Sequence, residues 1–312
     1  MTPTNRSSAA GRAYLDLRAL ARSQGRGTEE LLVLFTLERF LYRVSISEHR
    51  ERVVLKGGML LAAMDERRPT RDVDMLATAT SNDVDQVSEL VREIAGLELD
   101  DGVYFDVSAL SAATIRDNDQ YGGVRITVPA RLDRARPMLR VDVSVGDPVT
   151  PRPIRIDYPA LLGGTFALRG YPLETVLAEK IVTMIDRGDT NTRDRDFADV
   201  VLLTARHPIG AEILRAALAA TANHRSVVLR PLGEVLVNLA EDRQRPWEDF
   251  LQGTGLNAVL PRSFGDAIAR VVAFADPILA SPASSGRWAP APAAWLTEPD
   301  ARFDPQAHPD HA

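Results

Sequence analysis

Apolar residues recur every three or four positions from about Ala10 to Val44, in "AYLDLRALARSQ" and "TEELLVLFTLERFLYRV", with a break at "GRGTEE". That period is one face of an α-helix, so it predicts two helices, with Thr28 placed to cap the second. Between Val53 and about Leu162 the period shortens to two, in "VVLK", "DVDMLA", "VRITVP" and "LRVDVSVGD", and a helical run "DVDQVSELVREIAG" lies between the second and third. Alternation marks half-buried strands, so this region reads as a mixed α/β unit. From Pro172 to about Leu279 the helical period returns, interrupted at "RGDTNT", "RHP" and "GTGLN". The remainder is rich in Pro, Ala and Asp without a sustained apolar period, and is expected to be disordered or laid over the surface. The chain therefore divides into N-terminal helices (1–45), an α/β core (46–170), a helical domain (171–280) and a tail (281–312). No internal repeat is evident.

Composition narrows the chemistry. The 312 residues include no cysteine, which excludes disulfides, thiolate metal sites and a cysteine nucleophile. His49, His207, His224, His308 and His311 are scattered without zinc spacing, so any metal must be held by oxygen ligands. No apolar run is long enough to span a bilayer and the first residues lack the apolar block of a secretory signal, so a cytoplasmic protein is expected. A net charge of -6 argues weakly against broad coating by nucleic acid, but leaves room for a local basic groove.

The strand "VVLK" runs straight into Gly57 and Gly58, and a short helix follows. Glycines there allow a tight turn and close approach of a ligand, and a helix N-terminus favours an anion such as phosphate. A purely structural turn is the plain alternative. In "PTRDVDML", period two puts Thr70, Asp72 and Asp74 on one face of a strand and Arg71, Val73 and Met75 on the other. Two neighbouring carboxylates repel unless a cation sits between them, which suits a hard divalent metal; solvated aspartates on an edge strand are the alternative. In "MLRVDVSVGD", Leu139, Val141, Val143 and Val145 form the apolar face, leaving Arg140, Asp142 and Ser144 opposite. Asp142 is thus a third candidate ligand.

In the predicted helix "YPLETVLAEKIVTMIDR", Lys180 projects from within the apolar stripe of Leu173, Val176, Leu177, Ile181, Met184 and Ile185. A lysine there must snorkel or meet an anion. In "TRDRDFADVVLLTA", Asp196 shares a face with Val200 and Leu203 while Asp199 sits nearer the helix edge. Asp194 and Asp196 also suit a helix start.

In their order, "LKGGMLL", "PTRDVDML", "YPLETVLAEKIVTMIDR" and "RDRDFADVVLL" resemble the nucleotidyltransferase toxins of the AbiEii/AbiGii family, including the MenT-type toxins, over roughly Val53 to Leu203. The resemblance implies a polymerase-β-like nucleotidyltransferase core with a mixed sheet, N-terminal helices and a helical C-terminal domain. It implies Mg²⁺, with Mn²⁺ as substitute, an NTP substrate, a tRNA 3′ end as acceptor, inhibition of translation and a cognate antitoxin. It carries the metal-binding acids onto Asp72 and Asp74, preceded by Thr70, and the nucleotide-binding turn onto Lys56, Gly57 and Gly58, where the wider superfamily often has Gly-Ser. Lys180 matches the family's lysine, and Asp196 its later aspartate, with Asp199 in reserve. A small-molecule or protein acceptor is the nearest rival. A non-catalytic binding module is the rival from another class.

Overall fold

The computed structural model describes residues 4–78, 82–117, 121–281 and 285–297. The chain divides into two compact units, Met1–Pro172 and Leu173–Ala312. In the first, α1 (Ala9–Gln24) and α2 (Thr28–Ile46) are the two helices given by the three-four period. The Ser8 hydroxyl accepts a bond from the Gly11 amide to cap α1, and Gly25 ends the helix in left-handed conformation. The cap of α2 is Gly27, with no side-chain bond. Thr28 stands one position inside the helix, and Glu29 and Glu30 supply the negative charge that its first turn favours.

Eight strands follow: β1 (Val53–Lys56), β2 (Val73–Ala77), β3 (Val103–Phe105), β4 (Ser111–Asp117), β5 (Tyr121–Leu132), β6 (Met138–Val145), β7 (Ile154–Pro159) and β8 (Thr165–Gly170). They form one sheet in the order β3-β5-β6-β2-β1-β8-β7, with β4 also paired to β5. β2 with β6 and β1 with β8 run parallel, and the other pairs antiparallel. The fold is therefore mixed α/β with a mixed sheet, as the sequence predicts.

Alternation assigns the two faces of the sheet. Val73, Met75, Val124, Ile126, Val128, Leu139, Val141 and Val143 are buried, and α2 packs on β6 and β8 while α4 (Val84–Ala95) packs on β4 and β5. Their neighbours along the strands, Asp74, Arg125, Arg140 and Asp142, point to the opposite face. Two buried charges fasten the helical layer. Glu38 on α2 meets Arg39 at 2.8 Å and accepts the Leu161 amide at 2.7 Å. Arg43 meets Asp101 at 2.7 Å and donates to the carbonyls of Leu97 and Val103. Each buried charge thus has both a counter-charge and backbone partners, the condition under which burial is tolerated.

The second unit comprises α5 (Leu173–Arg187), α6 (Asp194–Arg206), α7 (Ala211–His224), the single turn α8 (Leu232–Val235), α9 (Leu239–Thr254) and α10 (Phe264–Ala280). Phe264 sits at the centre of an aromatic cluster, 5.1 Å from the rings of both Phe197 and Trp247. Where the sequence suggests only a tail, β10 (Arg287–Ala289) and β11 (Ala294–Leu296) form a hairpin that pairs with β9 (Ile209–Gly210). Two tryptophans anchor it: Trp288 donates to the Thr204 carbonyl at 2.7 Å and Trp295 to the Phe274 carbonyl at 2.8 Å. A periodicity window does not register so short an element, in which Trp288 alone is buried. Residues 298–312 of the expected tail lie outside the described residues. Among the described residues, no helix is long and apolar enough to cross a membrane.

Candidate active site

Strand register brings four charged residues onto one rung of the first unit's sheet. Lys56 pairs with Asp74 across β1 and β2, Asp74 with Asp142 across β2 and β6, and Asp142 with Arg125 across β6 and β5. Directly paired residues share a face, so the rung reads cation, acid, acid, cation. Two adjacent acids repel, and the flanking cations offset this. Arg125 grips Asp142 with two bonds, Nε to Oδ1 at 2.8 Å and Nη2 to Oδ2 at 2.6 Å. That hydrogen-bonded pairing, with the charges of Asp142, Asp72 and Asp74, raises the guanidinium pKa against the opposing effect of burial. Lys56 turns to Asp147, its Nζ 2.6 Å from Oδ2 and 5.5 Å from the centre of the Tyr171 ring. Ser144 donates to the same Asp147 oxygen at 2.6 Å.

The Gly-Gly turn and the acid pair are in direct contact. β1 ends at Lys56 and α3 (Gly57–Leu60) begins at once, continuing as a 3-10 turn to Met64. Gly57 has φ +66°, and a Cβ there would overlap the Asp74 carboxylate. A Cβ on Gly58 would lie 2.7 Å from the Thr70 hydroxyl. The glycines are therefore required by the acid and the hydroxyl that pack on them. α3 is one turn long, so its dipole contributes less to anion binding than the sequence pattern suggests.

Thr70 and Asp72 do not lie on the strand itself. β2 starts at Val73, which pairs with Val141 of β6, and its pairing with β1 begins one residue later at Asp74. The Thr70 hydroxyl instead donates to Asp72 Oδ1 at 3.0 Å, which orients that carboxylate locally.

The donor set at this rung is oxygen alone, which fits a hard divalent cation. Asp72 and Asp74 offer carboxylates that could hold one, while Asp142 stands beside Asp74 with both oxygens engaged by Arg125. Among the described residues, three ligand atoms gather within 4.8 Å only at Glu48, His49 and Glu93. There Arg52 donates to His49 Nδ1 at 2.8 Å, leaving Nε2 to donate to Glu93 at 2.6 Å. Both ring nitrogens are spent, so this group ties the loop after α2 to α4 rather than offering an open ligand.

In the second unit, Lys180 meets two anions. Its Nζ lies 3.0 Å from Asp196 Oδ1 and 2.6 Å from Asp199 Oδ2. Asp199, expected nearer the helix edge, has a fully buried side chain (0% exposed against 8% for Asp196). The lysine's charge permits this, and both acids bind it.

Arg125 and Asp147 were not singled out from the sequence. The alternation of "VRITVP" assigns Arg125 to the polar face, but its pairing with Asp142 depends on the β5–β6 register, which neither strand states alone.

The family described as "Nucleotidyl transferase AbiEii toxin, Type IV TA system" matches residues 39–270. Two solved structures are similar to the chain. One is JHP933 from Helicobacter pylori, at 14% identity and TM-score 0.47, with 81% of this chain and 93% of that chain covered. The other is a protein from the same organism assigned as a nucleotidyltransferase, at 16% identity and TM-score 0.48, covering 81% of this chain and 96% of that chain. No curated protein matches.

Proposed function

The chain belongs to the AbiEii nucleotidyl transferase toxin family of type IV toxin–antitoxin systems, and from that membership we propose a divalent-metal-dependent transfer of a nucleotide from an NTP to an RNA 3′ end. The acceptor proposed is tRNA, the consequence inhibited translation, and the partner a cognate antitoxin. The observation that supports this reading is the packing of the Gly57–Gly58 turn against Asp74 and Thr70, which joins the turn to one acid directly and to Asp72 through the Thr70 hydroxyl.

Asp72 and Asp74 would hold Mg²⁺ or Mn²⁺, with Asp142 joining them when Arg125 releases it. When bound, such a cation lowers the pKa of an attacking hydroxyl and stabilises the leaving oxygen. In the reaction, the acceptor 3′ oxygen forms a bond to the α-phosphorus as the bond to the β-phosphate oxygen breaks, and pyrophosphate leaves. Thr70 holds Asp72 in orientation through its hydroxyl. Lys56, steadied by Asp147, supplies positive charge beside the turn. Lys180 is proposed, on the family resemblance, to neutralise triphosphate charge, with Asp196 and Asp199 orienting its ammonium.

The test is incubation with Mg²⁺, each α-labelled NTP in turn and total tRNA, with Asp72→Ala and Lys180→Ala proteins in parallel. Label at tRNA 3′ ends with the parent protein and none with Asp72→Ala is the expected result. Full transfer by Asp72→Ala overturns the metal assignment. Absence of label under every NTP, with folded protein, overturns the tRNA acceptor.

A further inference from the structure

The sheet face that carries the acid rung does not end there. Along β5, Arg125, Thr127, Pro129 and Arg131 point outward, while Val124, Ile126, Val128, Ala130 and Leu132 are buried. Register extends the outward face sideways: Thr127 pairs with Arg140, Pro129 with Met138, and Arg131 with Tyr104 on β3. The same surface thus runs from Asp74 and Asp142, through Arg125 and Arg140, to an exposed tyrosine and arginine.

Its chemistry is uneven in a useful way. Tyr104 is 55% exposed, which is unusual for so large a ring on a paired strand. The Arg131 guanidinium lies 4.9 Å from the centre of that ring. Neither Arg131 nor Arg140 forms an ion pair with any described residue, so their charge faces solvent, whereas Arg125 is consumed by Asp142. An aromatic face beside unpaired guanidinium groups combines stacking for a base with attraction for phosphate. Charge complementarity selects a polyanion, and the exposed ring selects one whose bases are unstacked.

We propose that the outward face of β3, β5 and β6, centred on Tyr104, Arg131 and Arg140, is the docking surface for a single-stranded stretch of the polynucleotide acceptor, holding it on the same sheet face as the acid rung. This rests on the transferase reading above and adds to it the residues that receive the acceptor. Tyr104 stacks on a base, and Arg131 and Arg140 meet the phosphates on either side.

The experiment measures binding of a short fluorescein-labelled single-stranded RNA to the full chain by anisotropy over a series of KCl concentrations. Tyr104→Ala, Tyr104→Phe and Arg140→Gln are compared with the parent, and Mg²⁺-dependent binding of a non-hydrolysable NTP is titrated alongside. Tyr104→Ala is expected to bind RNA roughly 5- to 100-fold more weakly, and Tyr104→Phe close to the parent. Arg140→Gln is expected to lower the slope of log affinity against log salt by about 0.7. All three variants should bind the NTP as the parent does. RNA affinity unchanged in both Tyr104→Ala and Arg140→Gln, with NTP binding intact, overturns this surface and leaves the transferase reading standing. A parent that binds no NTP overturns the transferase reading instead. Self-association that Tyr104→Ala abolishes, seen by light scattering with RNA affinity unchanged, overturns the proposal in favour of a second copy of this chain as occupant.

Discussion

Gly57 lies so close beneath Asp74 that a side chain at position 57 would occupy the space of the Asp74 carboxylate. The relationship is doubly constrained, because Gly57 also has φ +66°, a conformation that side chains disfavour. Gly57→Ala must therefore either displace the acid or unwind the turn. The expected outcome is a loss of about 1–3 kcal/mol in stability together with loss of Mg²⁺-dependent NTP binding. Thermal melts and calorimetric titration read the two effects separately. NTP binding that survives in a folded Gly57→Ala protein would show that the turn and the acid do not act together.

Gly58 has no room for a side chain. A Cβ at position 58 would meet the Thr70 hydroxyl at 2.7 Å and the Thr70 Cβ at 3.1 Å, so a serine has no room beside this threonine. Gly58→Ala alone should be destabilising by about 1–3 kcal/mol through overpacking. Adding Thr70→Ala removes the closer clash, and the double variant should be more stable than the sum of the singles by about 1 kcal/mol. Additive melting data would place the strain elsewhere.

Much of this arrangement was legible in the chain, and the limits are physical. Period-two alternation alone assigned Asp74 and Asp142 to the polar face, because a strand with one buried face fixes each side chain's direction. The same rule misplaced Thr70 and Asp72 on the strand, since alternation does not state where pairing begins, and the first paired residue of β2 is Val73. Arg125 was missed because its counter-charge is chosen by register between strands, and Asp147 because it lies beyond the end of β6, where alternation assigns no direction. The contact of Gly57 with Asp74 was likewise invisible: both motifs stood out, but the space between them did not. On the helices, the placement of Lys180 in an apolar stripe called for snorkelling or an anion, and α6 supplied two acids.

Arg125 controls whether Asp142 is available. The pair is partly exposed, with Arg125 47% accessible, so its own contribution to stability is expected to be at most about 1 kcal/mol. Arg125→Gln should therefore leave melting nearly unchanged while freeing a carboxylate and removing a competing cation. Affinity for Mn²⁺ is expected to rise a few-fold by calorimetric titration. Affinity that is unchanged or lower would remove Asp142 from the metal's ligands.

Lys180 is a stability element as well as a proposed chemical one. With its removal, Asp196 and Asp199, both buried, would each lose an ion pair with the ammonium. Lys180→Met should cost about 3–5 kcal/mol. Lys180→Met with Asp199→Asn should regain part of that loss while remaining inactive in nucleotide transfer. Recovery of transfer along with stability would show that the lysine serves the fold alone.

Glu38 gives the first unit an inverted pH response. Burial raises its pKa above the ordinary 4.5, against the lowering effects of Arg39, the Leu161 amide and Arg67. The folded state then holds this proton more tightly than the unfolded chain does. Its contribution is full below about pH 4.5 and is lost as pH rises through the raised folded value, opposite to the usual salt-bridged carboxylate. Glu38→Gln lacks this titration. Melting temperatures of the two proteins, measured in steps upward from pH 4.5, should therefore shift in favour of Glu38→Gln as pH increases. A shift in favour of the parent would mean that the attraction of Arg39 and Arg67 for the ionised carboxylate outweighs its burial.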